Sequence, residues 1–535
     1  MLGYAQVQDA LRPDFAARVE VVVQRADNGE IIPARVYLFK GGQPFRLSPV
    51  DAHLPLRVDL FYRERIWRGA AQPKTLEVTA KDVSHFILLE GRAGFDLPRS
   101  RTDLDEKYRL EAYHGTFYKP AVAEFTLAAG ENRRVTLRLE PIAPGRQEKW
   151  LAADDHIHLT RAKEDDEIFL GWLQAEDLAI GNFLELQRQQ HASVQHAFGS
   201  EGEARRAGYS IRAGQESRSV FYGHILLLGP ERIVPPLSIG IVYANSPEAY
   251  PYPMISFSKG RDLGATVGFA HFYGSQPNST LIMNLAKNTI DFVELFQFGR
   301  LHSEDWYELL NAGFRVVGNA GSDFPANLNR LEQWPRTFPL LGPERALVES
   351  EPGESAYESW AGGIRRGAAV VTNGPLLELN VNGQRSGALV SWEGAEEKLR
   401  GNASVVFHRP IEKLEIIVNG EVVAVAAGNT QRTEISLPFE IPIRESAWIA
   451  ARAKATSLPG EPEIWAHTNP VYALKQGQPV YVEAARKAVR ERWAKEAQFY
   501  RNSSLVFAEP GQRREFLQLV EETGPILEKR QPPWP

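Results

Sequence analysis

The segment ADDHIHLTR, residues 153–161, sets His156 and His158 two positions apart, directly behind Asp154 and Asp155. In an extended strand, residues i and i+2 leave on the same face, so both imidazoles enter one space. An apolar core has little use for such a pair, whereas a divalent metal does. Four more residues of ligating type sit at the margins of short apolar runs further on. Glu216 stands in GQESRS after GYSIRAG, His224 opens GHILLLG, His271 ends GATVGFAH, and Asp323 ends RVVGNAGSD. Singly, each has an ordinary reading: His224 as a core histidine, Glu216 as a surface acid, Asp323 as a helix or turn cap. Together, four imidazoles and two carboxylates on separate apolar runs make the donor set of a metal centre, because unpaired buried polar groups are costly. The chain has no cysteine, so thiolate ligands, thiolate nucleophiles and disulfides are excluded and any metal must rest on His, Asp and Glu.

Around this set lie secondary candidates. Arg218, beside Glu216, and Asn373, in VVTNGP, are candidate substrate contacts, and Asp155 is expected to orient a ligand histidine. Small Gly321 and Ser322 are expected to let the backbone approach a ligand. His191 and His196, in the loop after NFLELQ, could reach the same mouth and hold a third metal. His302 reads as a helix start. His53, His85, His114, His408 and His467 fall in β-rich regions as bystanders, and Trp172, Trp306 and Tyr307 read as packing residues.

The elements that must position these residues follow from periodicity. Residues 16 to 141 alternate apolar and polar in short runs such as ARVEVVVQ and RRVTLRLEPI, divided by turns, which predicts an antiparallel β-sandwich. From about 148 to 375, short apolar runs alternate with helical patterns such as GWLQAEDL and WYELLNAGF, which predicts an α/β barrel with its working face at the strand C-termini. Strand patterns with NG turns return from 376 to 474, and VEAARKAVRERWAKEAQFY then spaces Val482, Ala485, Val489, Trp493 and Tyr500 as a helix docked on the body. The expected fold is a multidomain α/β chain: an N-terminal β-sandwich over 1–147, a barrel over 148–375, a second β-sandwich over 376–475 and a helical tail over 476–535.

Composition narrows the partners. Lys plus Arg number 61 against 67 Asp plus Glu, a formal net charge of −6, which offers no footprint for nucleic acid or an anionic membrane. No apolar run is long enough to span a bilayer, and MLGYAQVQDALRPDF lacks the pattern of a signal peptide. A soluble protein is expected, in cytoplasm, periplasm or outside the cell, acting on a small molecule without nucleic acid or membrane; its oligomeric state is not legible. Neither a G-x-S-x-G elbow nor a Walker-type loop is present.

The order DHIH, GQES, GH, AH, GSD resembles metallohydrolases of the polymerase-and-histidinol-phosphatase (PHP) type. It is more closely similar to their CehA/McbA, or carbaryl hydrolase-like, branch, through AEDLAIGN, GHILLLG, WYELLNAGFR, GNAGSDFP, GIRRGAAVVTNGPLLELNVNG and KLEIIVNGEVV, over about 148–425. The resemblance implies a distorted (β/α)7 barrel in which His156, His158 and Asp323 bind one metal and Glu216 bridges to a second held by His224 and His271. Three histidines of the wider family are absent: this chain reads TRAKEDDE after the HxH pair, GNFLEL at the second strand and Asp323-Phe324-Pro325 at the last. All three would serve a third metal, so two are expected, as Zn, Mn or Fe. The implied activity is hydrolysis of a carbamate, ester or amide bond by a metal-bridged hydroxide, with Glu216, Asp323 and Arg218 as catalytic residues. Phosphoester hydrolysis by the same fold, an amidohydrolase-type barrel with a lysine bridge, and a binding protein with a structural metal are the alternatives.

Overall fold

The computed structural model describes residues 16–44, 52–57, 74–80, 83–98, 107–128, 130–187, 193–244, 247–276, 278–327, 339 and 341–529. Its architecture is mixed α/β, with large sheets and few helices. Seven strands that carry the candidate residues pair in a circuit. β1 (Trp150–Ile157) pairs in parallel with β2 (Ile180–Glu185), and β2 with β3 (Tyr209–Ser219). β4 (Gly223–Leu228) runs antiparallel to both β3 and β5 (Thr266–Phe269). Parallel order resumes through β6 (Phe292–Gln297) to β7 (Gly318–Ala320). The reversal at β4 follows from the chain itself. Only Val220, Phe221 and Tyr222 separate it from β3, and a parallel crossover needs about a dozen residues or more.

The circuit closes just past β7 through one parallel bridge, Ile157 to Phe324. There His158 N–H donates to Phe324 O at 2.6 Å, and Phe324 N–H donates to His156 O at 3.1 Å. The closing edge of β1 is shared, since Trp150–Ala153 pair antiparallel with a strand at Arg345–Glu349. That strand pairs with Ala369–Thr372, which in turn pairs with Ile464–Thr468. A hydrogen-bonded ladder therefore crosses the position expected as a boundary, near residue 375.

Helices pack their apolar faces around the circuit. α1 (Asp166–Ala175) buries Phe169, Leu170, Trp172 and Leu173. α2 (Pro253–Asp262) and α3 (Leu281–Ala286) flank β5, and α4 (Ser303–Asn311) buries Trp306, Leu309 and Leu310 between β6 and β7. α5 (Ala356–Arg366) has a capping box at Ser355 and Glu358 and ends at Gly367, whose φ of 73° suits glycine. In the N-terminal region, a sheet containing Ala16–Arg25 and Asn132–Pro141 and a second containing Ala34–Lys40 and Tyr108–Tyr113 send Val19, Val21, Leu137, Val36 and Leu110 into one core. The tail forms α6 (Glu483–Asn502) and α7 (Pro510–Glu528), which pack on α3 and α4. Val489, Trp493 and Tyr500 face inward as their spacing predicts. No described helix is long and apolar enough to cross a membrane.

Candidate metal centre

The six expected ligands meet at the end of the circuit where β1 finishes. His156 is the penultimate residue of β1 and His158 follows its end, both fully buried, and Asp323 lies just past β7 with a left-handed φ of 53°. Glu216 sits within β3 rather than after it, because the strand continues through Ser219 to form the hairpin with β4. His224 is the second residue of β4, and the reversal of that strand delivers its N-terminal end to the same mouth. His271 follows β5, also with a positive φ, of 52°.

The ligand atoms fall into two trios. His156 Nε2, His158 Nε2 and Asp323 Oδ1 form a triangle with edges of 3.0, 3.5 and 3.3 Å. Glu216 Oε1, His224 Nδ1 and His271 Nε2 form another, with edges of 3.0, 3.6 and 3.2 Å. The second oxygen of Glu216, Oε2, lies 3.3 Å from His158 Nε2, so one carboxylate faces both trios. Bonds of about 2.1 Å in tetrahedral array imply ligand–ligand edges of about 3.4 Å. The residues fit a divalent ion on a second count: Glu216 Oε1 and Asp323 Oδ1 are buried without a hydrogen-bond partner, one in each trio. Such atoms are costly unless a cation or water satisfies them.

The electrostatics agree. Burial raises the Glu216 carboxyl, but the Arg218 guanidinium and the His224 imidazole outweigh it and hold the group well below its usual range. Asp323 is likewise carried down to about 2, against burial, by His156 and His158. Burial lowers His156 and His224 to about 4, leaving neutral imidazoles with ligating lone pairs near neutral pH. Burial also lowers His271, yet the nearby Glu216 carboxylate and the charges of Glu294 and Asp323 carry it to about 9; a cation at Nε2 and that proton exclude each other.

Several supporting residues escape the motif reading. Glu294 of β6 accepts a bond from His156 Nδ1 at 2.6 Å and from the His271 N–H at 2.5 Å. His156, His271 and Glu294 also cluster closely enough to count as ligands, but 2.6 Å is hydrogen-bond length. Glu294 thereby fixes the Nδ1–H tautomer and leaves Nε2 for the first trio. Gln297 holds His271 Nδ1 through its Oε1 in the same way. The signal for both was an acid and an amide inside the otherwise apolar DFVELFQF. Tyr243 hydroxyl lies 3.3 Å from His224 Nε2.

Other expectations are corrected. Asp155 bonds no ligand histidine: its Oδ2 accepts from Asn319 at 2.5 Å, and Glu294 takes the orienting role. Asp154 binds Ser322 N–H at 2.9 Å and its hydroxyl at 2.5 Å. Gly321 is small because β1 passes beside it, where a Cβ would stand 1.8 Å from Asp155 Oδ1, and not to admit a ligand. Arg218 Nε–H donates to Glu216 Oε2 at 2.8 Å, which makes the guanidinium a holder of Glu216. Asn373 is away from the cluster, with its side-chain amide committed to Glu463 O and the Trp465 N–H, each at 2.8 Å. His196 pairs with Asp166 of α1 at 3.4 Å and joins neither trio, and His191 lies outside the described residues.

No protein-family model matches the chain, and no curated protein matches it. Two solved structures show a partial likeness. One is Endonuclease Q in complex with a 27-mer duplex substrate with an abasic lesion at the active site, 14% identical over 40% of this chain and 56% of that chain, with a TM-score of 0.26. The other is the lesion-specific endonuclease PfuEndoQ from Pyrococcus furiosus, 17% identical over the same shares, with a TM-score of 0.24. The chain spans little more than half the length of each, and at these scores the likeness carries no argument about its chemistry. It does correct one expectation: a chain with this partial likeness was solved on DNA, so the exclusion of nucleic acid as a partner is withdrawn. Net charge is a sum over the whole chain and says little about a local surface.

Proposed function

We propose that the chain is a metal-dependent hydrolase of the PHP type, with one divalent ion in each trio and Glu216 shared between them. The observation that carries this reading is Glu216, whose two oxygens face separate trios while one of them lacks any hydrogen-bond partner. In this reading the seven-strand circuit is a distorted (β/α)7 barrel over 148–375, flanked by β-sandwiches over 1–147 and 376–475 and a tail over 476–535. The motif resemblance to CehA/McbA proteins favours a carbamate, ester or amide bond in the substrate.

Divalent ions in such a site supply Lewis acidity, which makes a water acidic near neutral pH and stabilises negative charge on a substrate oxygen. The chain's own residues do the rest. Arg218 keeps Glu216 anionic and fixed in place. Glu294 and Gln297 hold His156 and His271 by their Nδ1 atoms, so that both present Nε2. His224 turns Nδ1 toward Glu216, so its Nε2 carries the ring proton and donates to the Tyr243 oxygen. The Tyr243 O–H is then left to donate toward a substrate oxygen at the mouth.

Metal content per chain, measured by elemental analysis after chelator-free purification, tests the proposal together with hydrolysis of p-nitrophenyl acetate, an aryl carbamate, bis-p-nitrophenyl phosphate and duplex DNA. Wild type is expected to carry about two ions, and Glu216→Gln and His156→Ala/His158→Ala one or none, with hydrolysis lost. Failure of wild type to take up Zn, Mn or Fe, or retention of both ions and full hydrolysis by Glu216→Gln, would end this reading.

A further inference from the structure

The two histidines of the second trio share a neighbour that the first trio lacks. Arg492 of α6 lies against Tyr273, two residues past His271. It donates to the Tyr273 hydroxyl, its guanidinium carbon stands 5.4 Å from the ring centroid, and it reaches Glu308 of α4 at 2.9 Å. On the other side, Tyr500 of α6 and Phe516 of α7 pack on Tyr222, two residues before His224, with ring centroids 6.2 and 5.5 Å apart. The Tyr500 hydroxyl also donates to Asn278 O, beyond the same turn.

The turn between these grips follows His271, whose N–H and ring are bonded inside the circuit to Glu294 and Gln297, and its own backbone is strained. His271, Phe272 and Ser275 have φ values of 52°, 62° and 60°. Left-handed residues of this kind are strained and persist only where the surroundings over-determine them. The turn also presses on β4, since a Cβ at Gly274 would stand 2.7 Å from the His224 nitrogen. His271 and His224 thus reach each other only while the turn is kept in this shape. The first trio is held by Asp154 to Ser322 and Asp155 to Asn319, bonds within the circuit like those of Glu294 and Gln297 to His271, and the grip on Tyr273 comes in addition, from the tail.

We propose that the tail braces the second trio: by gripping Tyr273 and Tyr222 it holds His271 and His224 at ligating distance, so the capacity for a second ion depends on a segment outside the circuit. The proposal rests on the two-ion reading above and assigns the tail, which matches no recognised motif, a positioning role at the centre. Arg492 is a positioning residue, acting on the ligand through Tyr273.

The test uses the full-length chain carrying Arg492→Met, with Tyr273→Phe as a milder companion that keeps the ring, and His271→Ala as reference. Zn is titrated against a competing chelator, amide exchange is followed over residues 270–276, and a cooperative thermal melt confirms that each variant is folded. The first ion should bind as in wild type and the second about 10–100-fold more weakly, the usual cost of losing a partner behind a ligand. Exchange over 270–276 should quicken, and Arg492→Met should add nothing to the loss already caused by His271→Ala. Equal weakening of both ions, weakening of neither, or wild-type exchange over 270–276 would each overturn the brace. Should wild type bind no ion at all, the two-ion reading fails, while the exchange comparison still decides whether Arg492 holds the turn.

Discussion

At the scale of single residues, the centre separates groups that would bind ions from groups that aim them. The Tyr243 hydroxyl meets His224 at its far nitrogen, and its ring lies beneath Arg218. Tyr243→Phe should leave two ions bound and KM nearly unchanged while lowering kcat on p-nitrophenyl acetate by about 10–100-fold, the size of effect expected from one hydrogen-bond donor aimed at developing charge. Glu294→Gln should instead weaken ion binding about 10–100-fold, because the amide no longer enforces the His156 tautomer; chelator competition reads this directly. The six residues that the structure brings together could be picked out from the sequence because metal chemistry admits few residue types and strand spacing puts two of them on one face. Glu294 could not, since a lone acid in a strand is usually a solvated one, and its partner His156 is distant in sequence. Asn373 shows the complementary difficulty: a polar residue near a predicted mouth looks available until Glu463 and Trp465 take up its amide.

At the scale of elements, the turn after β7 depends on the bare backbone at Gly321. Gly321→Ala would press a methyl onto Asp155 and His156, and should lower the melting temperature and the affinity of the first ion together. In the tail, Glu496 is 5% exposed with Oε2 unpartnered, and burial carries its carboxyl from 4.5 up to about 8. The folded chain keeps this proton where an unfolded chain would release it, so stability is lost as pH rises from about 4.5 toward 8. Glu496→Gln should therefore be indistinguishable from wild type near pH 4.5 and more stable at pH 8, by on the order of 3 kcal/mol in denaturant melts. The reversed β4 was written in its three-residue link to β3, a loop-length argument that hydrophobic runs alone do not supply. α7 lies in the segment expected as a helical tail, and it runs through Gly524 and Pro525 of EETGPILE.

At the scale of the whole molecule, a fully buried ion pair, Arg35 to Glu176 at 2.9 Å, ties the N-terminal sheets to the loop that follows α1. Arg35→Met should cost about 3 kcal/mol by stranding the carboxylate, and the double replacement Arg35→Met/Glu176→Leu should recover much of it; urea melts of the three variants check this. Strand-rich and helix-alternating regions were legible from periodicity, whereas the ladder that continues across residue 375 was not, because strand pairing between segments about ninety residues apart leaves no local pattern. The single bridge that closes the circuit has a further meaning. His156 and His158 stand on one bank of that join and Asp323 on the other, so an ion in the first trio would act as a rivet across it. Stripping it with chelator should unprotect the amides of His158 and Phe324 before those of β2 or β3, and the protein should begin to come apart where its chemistry is done.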